Sequence, residues 1–458
     1  MVCPTDHSYT SPILFVSHRT HKDGELRLAH DTITFLGNFG TQNLGNEYTL
    51  AAIVQSARER RPEARLSCVC PDPEDVSTRH GVQGFLISYR YSKEFTQRAW
   101  HRASTPLVRI LRRLFVRGPR EIWDLARAYR SLAGTRMLVM TGTGMLGDFG
   151  IEPLGLHYEI LKWAALAKAH GAKVLFVSVG AGPLAKPLSR RIVKWALSMA
   201  DYRSYRDEFS RRYLAEIGFD SSKDFVYPDI AFGLPVDATL PRLGPARVVG
   251  LGVMDYYGTE RDPRRSEETY RRYLENLANF VSWLLDRDYT VHLLVGDVTY
   301  DRSGRQDLLK LLERRASRVA GRIVDVRISS NEDLLAAISG TEFVVSARFH
   351  NLVLAAMLGK PLLALAYHQK IVELMHSLGL SEYCHDIEHW DAARLNQQFL
   401  GLEQNAAAIV SLIGQRAAEW RKALAEQYDR IFPLEGARPR SPVRPEDVLQ
   451  RGGRGGRE

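Results

Sequence analysis

Thr32-Ile33-Thr34-Phe35-Leu36 runs without a break into Gly37-Asn38-Phe39-Gly40-Thr41-Gln42-Asn43-Leu44-Gly45-Asn46-Glu47. The first five residues are β-branched, aromatic or leucine and read as a strand; a turn rich in glycine and asparagine follows. Leu50, Ala51, Ile53, Val54 and Ala57 then fall on one face of a helix, with Glu47, Arg58, Glu59 and Arg60 largely at its ends or outside. Strand, turn and helix packed on a sheet is the repeating unit of a parallel α/β fold, because a parallel neighbour is reached only by crossing over a sheet face.

The unit recurs outward from this stretch. Strand-like runs lie at 65–70, 137–140, 173–179 and 224–227, and again at 248–253, 290–295, 323–328, 342–346 and 362–366, with helical stretches between several of them. Ser330 followed by Asp333 has the spacing of a capping box. Between the two series, Gly233, Pro235, Pro241, Gly244 and Pro245 break the alternation, which places a boundary there. The expected architecture is α/β with two Rossmann-like domains facing a cleft, residues 31–240 and residues 241–432, the second closing with a long helix over 405–428. Residues 1–30 read as an irregular N-terminal extension, and residues 433–458, rich in Pro, Gly and Arg, as a disordered tail.

Composition agrees with globular cores: 458 residues, 45% hydrophobic and 25% charged. No uninterrupted apolar run approaches the roughly 18 residues of a membrane span. The first thirty residues carry charged and polar interruptions where a secretory signal would be apolar, so the cytoplasm is the expected location. Cys68 and Cys70 lie in a strand-like run and read as buried thiols, and no cluster has metal-ligand spacing. The formal charge of +9 favours anionic partners without choosing among phosphorylated donors, acidic glycans, lipid headgroups and nucleic acid.

Five segments carry candidate chemistry, each with a bland structural alternative. The turn Gly37–Glu47 opens a helix, where backbone amides attract anions and Asn43 can hydrogen-bond a ligand while Glu47 orients it or favours the helix start; alternatively it is only a tight turn. Thr141-Gly142-Thr143-Gly144 follows a strand and suits a loop bordering the cleft, or simply needs glycine for its dihedrals. In Ser204-Tyr205-Arg206-Asp207, a short strand ends in a guanidinium that fits carboxylate or phosphate, while Asp207 caps the next helix; a surface salt bridge is the plainer account. Ser346-Ala347-Arg348-Phe349-His350-Asn351 sets a permanent cation beside the side chain best suited to exchange protons near neutral pH, with both spaced to face one side. Finally, Ala366-Tyr367-His368-Gln369-Lys370 puts another cation at the same sheet edge, or an exposed lysine at a helix start.

In this order and spacing, Asn43-Leu44-Gly45-Asn46-Glu47, the run Ser178 to Leu184 (SVGAGPL), Ala200 to Ser210, and Ser346 to His350 followed by Pro361 to Lys370 resemble the polysaccharide pyruvyl transferase family over most of residues 32–380. The resemblance implies a fold like that of two-domain GT-B glycosyltransferases, phosphoenolpyruvate as donor substrate with no further cofactor, and a hydroxyl pair of a glycan or lipid-linked oligosaccharide as acceptor. It implies His350 as catalytic acid/base, Arg206, Arg348 and Lys370 as holders of the donor's carboxylate and phosphate, and Asn43 as a lining residue; Glu47, Gly142 and Gly144 join them as substrate-binding candidates. Asn46 stands where the family usually has aspartate, and the glycine run at 141–144 is shorter than is common. A GT-B glycosyltransferase using a nucleotide sugar, or a catalytically silent glycan-binding relative, would use the same layout.

Residues 98–136 hold a basic insert outside that pattern. On a helix, Leu107, Ile110, Leu111 and Leu114 share a face, with Arg109, Arg112, Arg113 and Arg117 mostly elsewhere. It reads either as a helix covering the protein's own core or as a peripheral contact with an anionic membrane. No nucleic-acid partner is expected.

Overall fold

The computed structural model describes residues 31–91, 118–148, 151–235, 247–258, 263–297, 301–315 and 321–433. The N-terminal extension, the basic segment up to Arg117 and the tail beyond 433 therefore lie outside the described residues.

The chain is α/β, built on two parallel sheets. The first has the order β3-β2-β1-β4-β5-β6-β7, made of β1 (Thr32–Leu36), β2 (Arg65–Cys70), β3 (Gln83–Leu86), β4 (Thr135–Thr141), β5 (Lys173–Val179), β6 (Tyr202–Tyr205) and β7 (Phe225–Val226). The second has the order β10-β9-β8-β11-β12-β13, made of β8 (Val248–Gly252), β9 (Thr290–Leu294), β10 (Ile323–Asp325), β11 (Phe343–Ser346), β12 (Leu362–Ala366) and β13 (Cys384–Asp386). Central strands such as β1, β5, β8, β11 and β12 are apolar along nearly their whole length because helices cover both faces. The sequence pattern does not reveal β3 and β13, which are short edge strands of mixed polarity. Cys68 and Cys70 are buried free thiols.

Strand order reverses between β1 and β4 in one sheet and between β8 and β11 in the other. Ligands of open α/β sheets bind beyond the carboxyl ends of strands at such reversals. The turn after β1, the glycine loop after β4 and the Arg348–His350 turn after β11 all fall there.

The helix Leu44–Arg60 corrects the simple picture of one apolar face. Leu44, Tyr48, Leu50, Ala52, Ile53, Val54 and Ala57 are buried together with Gly45, Glu47, Thr49 and Ser56, so burial runs around most of its circumference. The reason is its place: besides the first sheet it packs against the helices Asn331–Ser339 and Phe349–Met357 of the second half. The hydroxyl of Tyr48 donates to the carbonyl of Asn331 across this boundary. The last helix, Ala406–Ile431, returns to the first half: Gln427 donates to Ser204 Oγ at 2.7 Å, Trp420 meets Phe232 edge-on at 4.6 Å, and Asp429 accepts from Arg60 at 2.9 Å. The expected capping box at Ser330 and Asp333 is present.

Candidate active site

Asn43, Glu47, Arg348, His350 and Lys370 sit at the cap or first turn of a helix that follows a strand, and Arg206 just before such a cap. Asn43 is the N-cap of Leu44–Arg60, Asp207 of Glu208–Glu216, Arg348 of Phe349–Met357 and His368 of Gln369–Leu378. Helix starts carry unpaired N–H groups and partial positive charge, so the strand ends they border favour anions before any side chain is counted.

His350 lies at the boundary of the two halves. Its ring packs directly on Gly45, so closely that a Cβ there would stand 1.8 Å from Nδ1 and 2.0 Å from Cγ. Only glycine admits the imidazole, and this makes Gly45 a site residue that sequence reasoning missed. The signal was present in the Asn43-Leu44-Gly45 turn, but the partner it serves lies far along the chain. Nε2 of His350 is shielded from solvent and meets no hydrogen-bonding partner among the described residues.

Two cations face this imidazole. The Arg206 guanidinium, whose side chain is 7% exposed, lies 4.6 Å from the centre of the Phe349 ring, and Nζ of Lys370 lies 5.6 Å from the same ring. Phe349 and His350 are themselves edge-to-face at 5.1 Å. Arg206 is therefore no surface ion pair: it reaches from the first half over an aromatic ring of the second, with Asp229 and Asp207 at 3.6 and 3.5 Å. Burial pushes the Asp229 carboxyl up, against the pull of Arg206. Among the described residues no carboxylate lies within salt-bridge distance of Lys370. Burial first, then Lys370 and Arg206, hold the His350 imidazole well below the usual histidine range, so it rests neutral. His368 is pushed down to about 4, again by burial and then by Lys370 and Arg206.

Arg348 turns elsewhere. The spacing of Arg348 and His350 suggests one shared face, but the aliphatic stem of Arg348 packs along Gly296 and its guanidinium pairs with the buried Asp301, which also accepts the N–H groups of Gly296 and Asp297. One edge of Arg348 is thus committed to holding the loop after β9, while its Nε has no partner among the described residues. Tyr367 connects the two sides: burial alone raises its phenol, yet Lys370 and Arg348 together hold it below its usual range.

Asn43 and Glu47 are engaged in structure rather than open to a ligand. Asn43 Oδ1 accepts from Asn46 N–H at 3.3 Å, and its Nδ2 donates to Asp297 at 3.4 Å, which clasps the first half to the second. Glu47 is fully buried, accepts the Gly40 N–H at 2.8 Å and meets Nε2 of His80 at 2.9 Å. The two glycines of the β4 loop also differ. Gly142 is packed against Ile230 and Thr49, whereas Gly144 is exposed with open space around it and lies beside Gly180, itself pressed against the Arg206 guanidinium. Thr141 and Thr143, buried in that loop, present hydroxyls without partners among the described residues.

The sequence profile of the polysaccharide pyruvyl transferase family matches residues 43–369, well over half of the chain. The chain belongs to the polysaccharide pyruvyl transferase family. The match spans the turn at Asn43, Arg206, Arg348 and His350, and ends one residue before Lys370. The family is one of transferases whose acceptor is a glycan. No curated protein matches the chain.

Solved structures place this pyruvyl transferase family member in the GT-B-like class with two Rossmann-like domains. It resembles S. aureus MnaA in complex with UDP (12% identity, TM-score 0.55, covering 89% of this chain and 99% of that one). It also resembles the UDP-GlcNAc 2-epimerase from Neisseria meningitidis bound to UDP-GlcNAc (10%, TM-score 0.51, 86% and 100%) and that from Methanocaldococcus jannaschii (10%, TM-score 0.52, 81% and 92%). At such identities the likeness speaks of the fold. Among the described residues no helix is long and apolar enough to cross a membrane, and no group of three His, Cys, Asp or Glu side chains is arranged to hold a metal ion.

Proposed function

We propose that this protein transfers the pyruvyl group of phosphoenolpyruvate to two hydroxyls of one sugar, closing a ketal and releasing phosphate, on an exopolysaccharide or cell-surface glycan precursor. One observation carries the reading: a neutral imidazole with a free Nε2 stands in a field of two buried or half-buried cations and several helix starts. Asp229 and Asp207 answer Arg206 in part, but among the described residues no carboxylate lies within salt-bridge distance of Lys370, so the field favours a multiply charged anion.

Phosphoenolpyruvate supplies a carboxylate and a phosphate, and Arg206 and Lys370 hold them, with the backbone at Gly144 on the open side. Neutral His350 takes the proton of the attacking hydroxyl as its oxygen bonds to C2 of the enol. The imidazolium so formed lies beside two cations, where it is a strong acid, and it delivers the proton to C3. The double bond is thereby saturated by addition of O–H, with no net proton exchanged. A second hydroxyl of the same sugar then forms its bond to C2 as the C2–O bond to phosphate breaks; its proton passes by way of the His350 imidazole to the departing phosphate, which leaves as hydrogen phosphate against the same cations. Arg348 orients the loop after β9 and reaches the donor through its unpaired edge. The reaction takes place in the cytoplasm, and the basic segment before Gly118 brings the enzyme to an anionic membrane surface that carries a lipid-linked acceptor.

The test is incubation with phosphoenolpyruvate and a panel of glycan acceptors, following phosphate release and product mass. A product heavier by one pyruvyl group is expected, together with loss of turnover in a folded His350→Ala variant. Transfer from a nucleotide sugar with phosphoenolpyruvate inert would refute the proposal.

A further inference from the structure

Beside the cation cluster lies a hollow that Arg206, Arg348, His350 and Lys370 do not line. It has a volume of about 410 Å3 and opens at the carboxyl ends of β12 and β13. That size falls within the roughly 300–1,000 Å3 typical of small-molecule sites. Tyr256, Tyr367, His368, Gln369, Asp386 and Glu388 supply its chemistry. We propose that this hollow is the acceptor subsite and that it binds a neutral pyranose, the sugar unit that receives the ketal; the inference rests on the donor assignment above.

Three features support it. The first is place: Tyr367 and His368 line the hollow, and both also face Lys370, whose Nζ is 5.3 Å from the Tyr367 ring. A hydroxyl that attacks C2 of a donor held by Lys370 and Arg206 must come from a molecule bound alongside, and this hollow shares a wall with that site. A larger hollow on the outer face of the helix Glu208–Glu216 shares no residue with the cluster.

The second is shape and polarity. The rings of Tyr256 and Tyr367 stand 6.3 Å apart, inclined by 50°, and offer apolar surface for the C–H face of a sugar ring. Glu388, Asp386, His385 and Gln369 supply planar acceptors and donors to the same lining. The Glu388 carboxylate is fixed by the Tyr256 hydroxyl, and Asp386 is held by the Glu388 N–H at 2.8 Å. With one oxygen anchored, the Glu388 carboxylate can accept from vicinal hydroxyls through its other lone pairs, whereas the second oxygen of Asp386 lies 3.3 Å from Nδ1 of His389 at the rim. Nε2 of His385, which is 4% exposed and also lines the hollow, lacks a hydrogen bond of normal geometry among the described residues.

The third is charge. The donor site is cationic, whereas this wall carries Asp386 and Glu388 with no arginine or lysine among its lining residues. Like charge at this range disfavours a uronate, a sugar phosphate or a nucleoside diphosphate. The acceptor unit is therefore uncharged.

The experiment uses the full chain and saturation-transfer NMR with methyl β-D-galactopyranoside, methyl β-D-glucopyranoside, methyl β-D-mannopyranoside and methyl β-D-glucuronide. At least one neutral glycoside is expected to bind the parent and to bind about tenfold more weakly to Glu388→Gln and to Tyr256→Phe, since each loses a hydrogen bond involving a charged group. The glucuronide is expected to bind more weakly than its neutral counterpart. Absence of neutral glycoside binding to the parent, tighter binding of the glucuronide, or unchanged binding in both variants overturns the proposal. Phosphoenolpyruvate binding, read by thermal shift in the same proteins, separates the two levels. If the parent binds phosphoenolpyruvate and the pocket variants keep that affinity while glycoside binding stays parental, the subsite is wrong and the donor reading stands. If the parent does not bind phosphoenolpyruvate, the donor reading fails and the subsite falls with it.

Discussion

Substituting Gly45 by alanine tests the seat of His350. The new Cβ would lie 1.8 Å from Nδ1, 2.0 Å from Cγ and 2.5 Å from Cε1 of the imidazole. Carbon atoms rest about 3.5–4.0 Å apart, so the ring must retreat by about 2 Å. Misplacing a catalytic group by about 1 Å costs on the order of a hundredfold in rate, and kcat is expected to fall by at least that much. Overpacking costs about 1–3 kcal/mol, and alanine returns about 1 kcal/mol through its better helix propensity inside Leu44–Arg60. The single variant should therefore lose about 0–2 kcal/mol. In a His350→Ala background the clash is gone and only the propensity remains, so the same substitution should stabilise by about 1 kcal/mol. Urea denaturation of the four proteins measures this change of sign, and phosphate release from phosphoenolpyruvate measures the rate. Parental kcat in Gly45→Ala, or an equal stability change in both backgrounds, would refute the contact.

Arg348→Met leaves Asp301 buried without its cation and is expected to cost about 3–5 kcal/mol in urea denaturation; adding Asp301→Asn should recover most of it. Lys370→Met removes a like charge facing His350, so the His350 pKa should rise; by NMR titration it moves toward the ordinary value, and the acid limb of kcat/KM shifts to higher pH. Because the imidazoles of His350 and His368 are both depressed, the unfolded chain binds more protons than the folded one once pH drops below about 6.5. Their stabilising contribution is complete above that pH and is lost as pH falls toward about 4, the folded value of His368. Thermal melting across this window should therefore show a shallower decline in His368→Asn than in the parent.

Local pattern was sufficient for much of this protein. Apolar runs closed by glycine-rich turns, as from Thr32 to Glu47, mark buried parallel strands because nothing else buries five successive side chains between two helical layers. The two series of such runs gave two sheets, and the polar residues just after β4, β6, β11 and β12 gave the places where a ligand meets the sheet edges. Short edge strands such as β3 and β13 escaped, since a strand covered on one side need not be apolar throughout. Tertiary structure alone decided what each polar residue does. Asn43, Glu47 and Arg348 are polar residues in strand-to-helix turns, as Arg206, Lys370 and His350 are. Asn43 and Arg348 are nevertheless tied to Asp297 and Asp301, and Glu47 to His80, whereas among the described residues Lys370 has no carboxylate within salt-bridge distance and Nε2 of His350 has no hydrogen-bonding partner. The glycine that lets the two halves close on the imidazole is equally invisible without its partner. A side chain's propensity is written in its neighbours along the chain, but its electrostatic balance depends on charges brought near by folding, and these come from both halves at once.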